Sequence, residues 1–390
     1  MANTLLTPTA VTREALRILH QKLTFLGNVN RQYDSSFAVE GAKIGDSLKI
    51  RLPNQYSVRT GANMSAQDTV ESSVTLQVAT MKGVDLNFTS QDLTMSLDDF
   101  SKRILEPAMS VLASTVEADA LQAMIKEVAN STDNAAISLD QILDARRRLS
   151  DSLAPEENRT MLLNPKDMVG AVSSMKTYFN DSKEIAGQYR KGYMGYAAGF
   201  DFAESTHLAK QARGAGASYV TNGADQSGST ITVGTGTGLV DVGSVITIGG
   251  VYRVHPETKV STGELMRFTV TSNNATNATS LGISPAIVST GAYQNVTNNA
   301  ATAQAVTILG TAGTAYGQGL AFHKDAFTFA TADLVLPKGV DFAAREVMDG
   351  ISMSLVRDFN ISDRTMPARL DILYGFKCIR PELACRVATA

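Results

Sequence analysis

Apolar and polar residues alternate along three short stretches near the start of the chain. Ser47–Leu52, Ser73–Val78 and Val84–Phe88 place an apolar side chain at every second position, the period of a strand with one covered face. Pro53 to Ser72, between the first two, is polar and offers almost nothing to bury. A hairpin with so long a connection is marginal in water. The pattern therefore predicts a hairpin that projects from the body and rests on another surface.

Helical periods flank this region. Leu16, Leu19 and Leu23 fall on one face of a predicted amphipathic helix, with Thr12 as its N-cap. Arg13, Arg17, Lys22 and Arg31 against Glu14 give this N-terminal arm a charge of +3. Beyond the hairpin, Ser96-Leu97-Asp98-Asp99 reads as a capped helix start, and Pro107 suits the first turn of a fresh helix. From there Val111, Leu112, Thr115/Val116, Leu121, Met124, Ile125 and Val128 keep helical spacing. At ~1.5 Å per residue this helix is a strut of about 30 Å.

Residues 137–200 mix the two periods. Ser138-Leu139-Asp140-Gln141 is a capping box that opens a helix running through Arg146-Arg147-Arg148. Three consecutive arginines point to different helix faces, which predicts a solvated surface in preference to a phosphate site. Thr160–Leu163 reads as a buried strand ending at Asn164-Pro165, and Lys166–Met175 as a short helix. Gly192, Gly195 and Gly199 punctuate the run to Phe200-Asp201-Phe202.

Residues 221–310 change character. Gly, Ser, Thr and Asn make up 43 of these 90 residues and only seven are charged, whereas the other 300 hold 66 charges. Short runs at Thr230–Val233, Ser244–Ile248, Met266–Val270, Ile283–Val288 and Ala305–Leu309 alternate with turn clusters. They predict a small all-β barrel or sandwich. Charged α/β character returns with Ala321–Phe327, Ile351–Val356 and Leu370–Phe376. The β module is thus an insertion, and the predicted class is α+β.

Composition narrows the function. The 390 residues carry 35 Lys+Arg against 38 Asp+Glu, a net charge of −3. A dedicated nucleic-acid binder would carry a basic surplus. No apolar run reaches the roughly 20 residues that span a bilayer, and the first residues do not read as a secretory signal. Cys378 and Cys385 are spaced like neither a redox motif nor a disulfide framework. They read as two reduced, core-facing thiols. His20, His207, His255 and His323 have no second ligand at metal spacing, and no GxSxG elbow exists. Gly234-Thr235-Gly236-Thr237-Gly238 lacks the Lys-Ser/Thr ending of a phosphate loop; it reads as a turn or flexible loop. Gly214-Ala215-Gly216 reads as a linker into the insertion. No catalytic, cofactor or metal site is expected, and the chain reads as a non-enzyme.

Four stretches carry a family resemblance. Gly192-Tyr193-Met194-Gly195 leading to Gly199-Phe200-Asp201-Phe202, Val242–Val251, Ala321–Phe327, and Arg369–Gly375 with Arg380-Pro381-Glu382 together resemble the tailed-phage major capsid proteins of the Hong-Kong-97-like fold. The resemblance is to the short-tailed phage type with an inserted β-barrel. Gly243-Ser244 stands where relatives often show Gly-Asp. The resemblance implies an N-terminal arm (1–37), an extended loop (38–92) and a peripheral domain with a spine helix (93–135). It further implies an axial domain (136–220), an inserted barrel (221–312) and a return to the body (313–390). It implies a shell of hexamers and pentamers of the chain itself, scaffolding protein, a portal, non-specifically held double-stranded DNA, and a decoration protein in some relatives. The particle would be made in the host bacterial cytoplasm. On this reading Arg51 and Arg59 of the projecting hairpin pair with a neighbour's carboxylates, and the basic arm with Arg13 and Arg17 meets scaffold or the shell interior. A cellular nanocompartment shell and, more distantly, a receptor-binding adhesin are the competing readings.

Overall fold

The computed structural model describes residues 8–31; 47–88 except Ser57, Thr60, Ser65, Gln67, Thr69 and Val70; then 101–133, 136–175, 195–272, 277–348, 350–361 and 366–389. The Ser96 helix start and the Gly192 stretch lie outside them. The chain divides into two compact units.

The first unit comprises Met1–Ile50, Ser73–Ala120 and Phe327–Lys377. Its sheet runs in the order β15 (Phe327–Ala332), β18 (Met366–Cys378), β17 (Ile351–Arg357), β16 (Phe342–Met348), and β3 (Thr80–Phe88) also pairs with β18. The β3 ladder is antiparallel from Met366↔Phe88 to Tyr374↔Thr80. The alternating stretches become the two-stranded sheet of β1 (Ser47–Arg51) and β2 (Ser73–Gln77). Leu48, Ile50, Leu76 and Val78 pack with Ala330, Ala332 and Leu373. The base of the hairpin therefore rests on the unit's own sheet, where the sequence pointed to an outside surface.

Helix α1 (Pro8–Lys22) buries Val11, Ala15, Leu16, Ile18 and Leu19 against β16 and β17. Thr12 does not cap it: among the described residues the helix already runs from Pro8, and Thr12 is fully buried inside it. The turn after α1 is held by buried Glu117, whose carboxylate accepts from Thr24 N at 2.7 Å and Phe25 N at 3.1 Å. Asn30 then bridges to Thr328 of β15. The strut is α2 (Glu106–Ile125), preceded by a π-turn over Ser101–Leu105. Pro107 falls in the first turn of this α-helix, as expected, directly after the wider π-turn, where its missing N–H and its ring are tolerated. Leu112, Val116, Leu121, Met124 and Ile125 are buried, but Val111 is 64% exposed and lies off that face.

The second unit comprises Arg51–Ser72, Leu121–Ala326 and Cys378–Ala390. Its sheet has the order β19 (Ala384–Thr389), β14 (Ala315–His323), β4 (Arg159–Leu163), β6 (Phe200–Glu204), β5 (Tyr196–Ala197), with β7 (Gln211–Ala212) also on β14. Only β4 and β6 run parallel. Ala198 (φ 50°) and Gly199 (φ 84°) turn β5 into β6, the left-handed pair that a two-residue hairpin demands. Helices α3 (Leu139–Asp151) and α4 (Pro165–Met175) accompany the sheet. Ser138 caps α3 through Gln141 N, while the Gln141 amide reaches Asp133 O at 2.9 Å instead of closing the box. Ser138→Ala is expected to lower stability by about 1 kcal/mol, measurable as a shift in the urea midpoint.

The insertion is a closed barrel. Its order is β10 (Val245–Val254), β11 (Ser261–Ser272), β12 (Ser280–Ile287), β9 (Gly228–Gly234), β8 (Tyr219–Thr221), β13 (Ala305–Ile308). Alternation sends Ile246, Ile248, Phe268, Val270, Leu281 and Ile283 into one dry core. The Gly234–Gly238 run is a fixed strap, not a flexible loop. Thr237 bridges Ala217, and the Tyr219 hydroxyl donates to Gly238 O at 2.6 Å. Gly236 lies flat on the Tyr219 ring, where any Cβ would collide.

Candidate assembly sites

The four arginines singled out from the sequence all have partners within the chain. In the hairpin, Arg51 lies 3.1 Å from Glu71, and Leu52 N donates to Ser72 O at 2.9 Å. Arg59 folds back on the connection, donating to Gly61 O and, at 2.8 Å, to Asn63 O. Beside it Tyr56, Val58 and Met64 are exposed, Val58 at 97%, so the tip presents isolated apolar groups on an ordered turn. In the arm, Arg17 pairs with Glu14 at 2.6 Å, and that hydrogen bond raises its pKa. Arg13, one turn away on α1, lies 3.7 Å from Glu346 of β16. Exposed pairs of this kind contribute little to stability and exchange partners readily.

The most heavily built polar region joins the barrel to the sheet of the second unit. Arg386 of β19 is buried and donates to Gly243 O at 2.6 Å and Thr269 Oγ1 at 3.4 Å. Thr269 Oγ1 in turn donates to Lys126 O at 2.7 Å. Arg267 bonds Ser131 O and, at 2.7 Å, Asp133. Arg253 reaches Ser152 Oγ at 2.8 Å. From the other side Arg147 meets Glu264 at 2.8 Å, and Arg148 lies 3.9 Å from the same carboxylate. Burial lowers the pKa of Arg253 and Arg267, takes Arg386 down to about 10, and lifts the adjacent Cys385 thiol to about 12.

This seam corrects the sequence reading of the arginine triplet. Arg146 and Arg147 are exposed, as that reading has it, but Arg148 is buried and bonded to Asp144 at 2.9 Å, and Arg147 with Arg148 meets Glu264 of the insertion. The Gly214–Gly216 stretch is likewise no loose linker. Gly214 has φ 78°, and Gly216 N donates to Leu239 O at 2.8 Å. One signal for the seam lay in the sequence. The charge-poor 221–310 window holds only two arginines, Arg253 and Arg267, and both are spent on it.

Reactive chemistry has no such architecture. Among the described residues no cluster of His, Cys, Asp and Glu could hold a metal ion. Both cysteines are buried. The His255 ring accepts from Glu257 N and Thr258 N, and the His323 ring from Asp325 N, each at 3.2 Å, so both cap turns. A groove of about 430 Å³ is edged by Lys126, Lys210, Asp241, Gln211 and Gln318, a set without a nucleophile and base in contact. No described helix is long and apolar enough to cross a membrane.

Comparison with known proteins turns this architecture into an identity. The family described as "P22 coat protein - gene protein 5" matches residues 9–386. Among solved structures, a chain of Mycobacterium phage Che8 is similar with TM-score 0.46 and 13% identity, over 94% of this chain and 90% of that one. The capsid of Cyanophage P-SCSP1u gives 0.45 and 11%, over 90% and 85%. The mature capsid of bacteriophage PhiM1 gives 0.44 and 10%, over 92% and 88%. No curated protein matches in sequence. The family match runs over nearly the whole length of a chain in which an α+β body carries a closed inserted barrel. The chain belongs to the P22 coat protein family and is a phage major capsid protein.

Proposed function

We propose that this capsid protein closes first as a precursor shell around scaffolding protein, with a portal at one vertex, and that the shell expands as double-stranded DNA enters. The observation that carries the proposal is the family match across residues 9–386. Physics supports it. A shell repeats each interface many times, so weak individual contacts suffice. A net charge of −3 lets like subunits approach and gives an inner wall that does not grip moving DNA. In this reading residues 1–37 are the arm, 38–92 the extended loop, 93–135 the peripheral segment, 136–220 and 313–390 the body, and 221–312 the insertion. The role is structural, the site of action is the virion capsid, and synthesis takes place in the host cytoplasm.

Electron microscopy of the chain expressed alone and with its neighbouring genes tests this. Closed particles tens of nanometres wide, with scaffold and portal in the co-expressed sample, are expected. A chain that stays monomeric in both samples overturns the proposal, and particles filled with a cargo enzyme indicate a nanocompartment.

The arginine roles follow from the same reading. Arg51→Glu with Arg59→Glu is expected to cut particle yield at least tenfold while leaving the urea midpoint within a few tenths of a molar. The exposure of the Arg51–Glu71 pair on both sides supports it, since such a pair costs little to exchange for a neighbour's carboxylate. Arg13→Glu with Arg17→Glu is expected to spare assembly of the chain alone and weaken only the scaffold-directed reaction. Unchanged yields in both pairs would remove these residues from the interface.

A further inference from the structure

We propose that Arg386 is the positioning residue that fixes the inserted barrel on the body, so that the barrel is held at one angle as subunits close into a shell. Only the word shell rests on the coat-protein reading; the joint stands on the geometry alone.

Three segments far apart in sequence meet at this residue. Its backbone N–H donates to Asn130 O at 2.8 Å, and its carbonyl accepts from Thr132 N at 2.8 Å. Its side chain crosses to the barrel, to Gly243 O and Thr269 Oγ1. Residues 126–133, the barrel rim and β19 therefore meet at one residue, whose backbone holds the first and whose side chain holds the second. Gly243 makes room for this closure. It sits at φ 91°, and a Cβ there would fall 2.9 Å from Lys126 Cγ.

The chemistry argues for direction over bulk stability. Neither side-chain bond of Arg386 goes to a carboxylate, and its Nε has no hydrogen-bond partner among the described residues. A buried guanidinium with an incomplete set of acceptors is unfavourable compared with an apolar side chain filling the same space. What it supplies instead is a rigid fork of donors that two acceptors meet in only one orientation. The surrounding pairs are poorer candidates. Asp133 is 83% exposed in its pair with Arg267, and Arg147 and Glu264 are both about half exposed, so salt and water weaken them. The order of synthesis adds a consequence. Barrel strands 219–308 are synthesised before 384–389, so seating through Arg386 requires the last strand of the chain to be in place.

Hydrogen exchange on the full-length chain tests the joint. In Arg386→Met, the amides of Thr132 and Gly243 are expected to exchange at least tenfold faster. The barrel-core amides of Ile246 and Phe268 are expected to stay within twofold of the parent. Arg386→Lys, which keeps a donor but not the fork, should fall between. Thr269→Val removes the second acceptor and should repeat the pattern, and it decides the matter if Arg386→Met does not fold. Micrographs should show a broader spread of particle diameters for each variant. Unchanged exchange at Thr132 and Gly243, or equal acceleration in the barrel core, overturns the proposal. If the parent chain forms no particles, the coat-protein reading fails while the exchange data still judge the joint.

Discussion

Phe268→Ala is expected to destabilise the barrel by about 3–5 kcal/mol, through lost transfer energy and the cavity left behind. Phe268 is fully buried on β11, directly opposite Ile246 of β10, in the dry core that all six strands share. Polar contacts offer little to offset the loss, because the 221–310 window holds only seven charges and those of Arg253, Arg267 and Glu264 reach out to the seam. Closure makes the effect collective. Each strand is bonded on both sides, so opening one pair leaves free edges that other chains can add to. Since about 1.4 kcal/mol is a factor of ten, the amides of Ile246, Ile248 and Val270 should exchange about a hundredfold faster or more. The sheet of the second unit should keep its protection. The variant should also collect in aggregates in place of particles. A rise below tenfold at these amides would show that the barrel core collapses around the missing ring.

Features with a local physical cause were legible in the sequence. The alternation at Ser47–Leu52 and Ser73–Val78 became β1 and β2 almost residue for residue, because a period of two has one structural meaning when one face is covered. Ser138 reads as a cap because a side-chain oxygen there satisfies a free amide, and it does so through Gln141 N; Asn164, read only as a strand end, does the same for Asp167 N at 2.8 Å. The barrel announced itself by a fall in charge. Features that depend on distant partners were hidden. Arg148 looks like any helix-surface arginine until β11 brings Glu264 beside it. Arg386 has no local signature, since its partners lie 143 and 117 residues away. The docking of the arm was hidden for the same reason. Its helix period was clear, but its docking needs Glu117, more than 90 residues on, to receive the amides of Thr24 and Phe25. Val111 shows the opposite limit, a residue at helical spacing that lies just outside the buried stripe.

The second large effect is expected at Gly375, a glycine inside β18 that no turn requires. A Cβ there would land on the backbone carbonyl of Gln77, at the end of β2. Valine normally favours a strand over glycine by roughly 0.5–1 kcal/mol, so propensity alone makes Gly375→Val stabilising. The collision reverses the sign, because β18 has no freedom to yield. Next to it the side chain of Tyr374 is fully buried, donates to Asp119 at 2.8 Å and stacks on Phe329 at 5.8 Å. Lys82 of β3 grips the same Asp119. The hairpin must therefore lift, which exposes Leu76 and Val78, both now fully buried. At about 1.5–3 kcal/mol for each such side chain, losing this seat outweighs the propensity gain and leaves a deficit of about 3 kcal/mol. Gly375→Ala, with the same Cβ but no branches, should show a smaller loss. The amides of Leu76 and Val78 should report it as about hundredfold faster exchange in the valine variant. If residues 38–92 act as the proposed extended loop, particle yield should fall with it, since a loop without a fixed base would not meet a neighbour in a single register. Normal particles with protected Leu76 and Val78 amides would mean that β2 can step aside at no cost, and that the base of the hairpin is not what aims the loop.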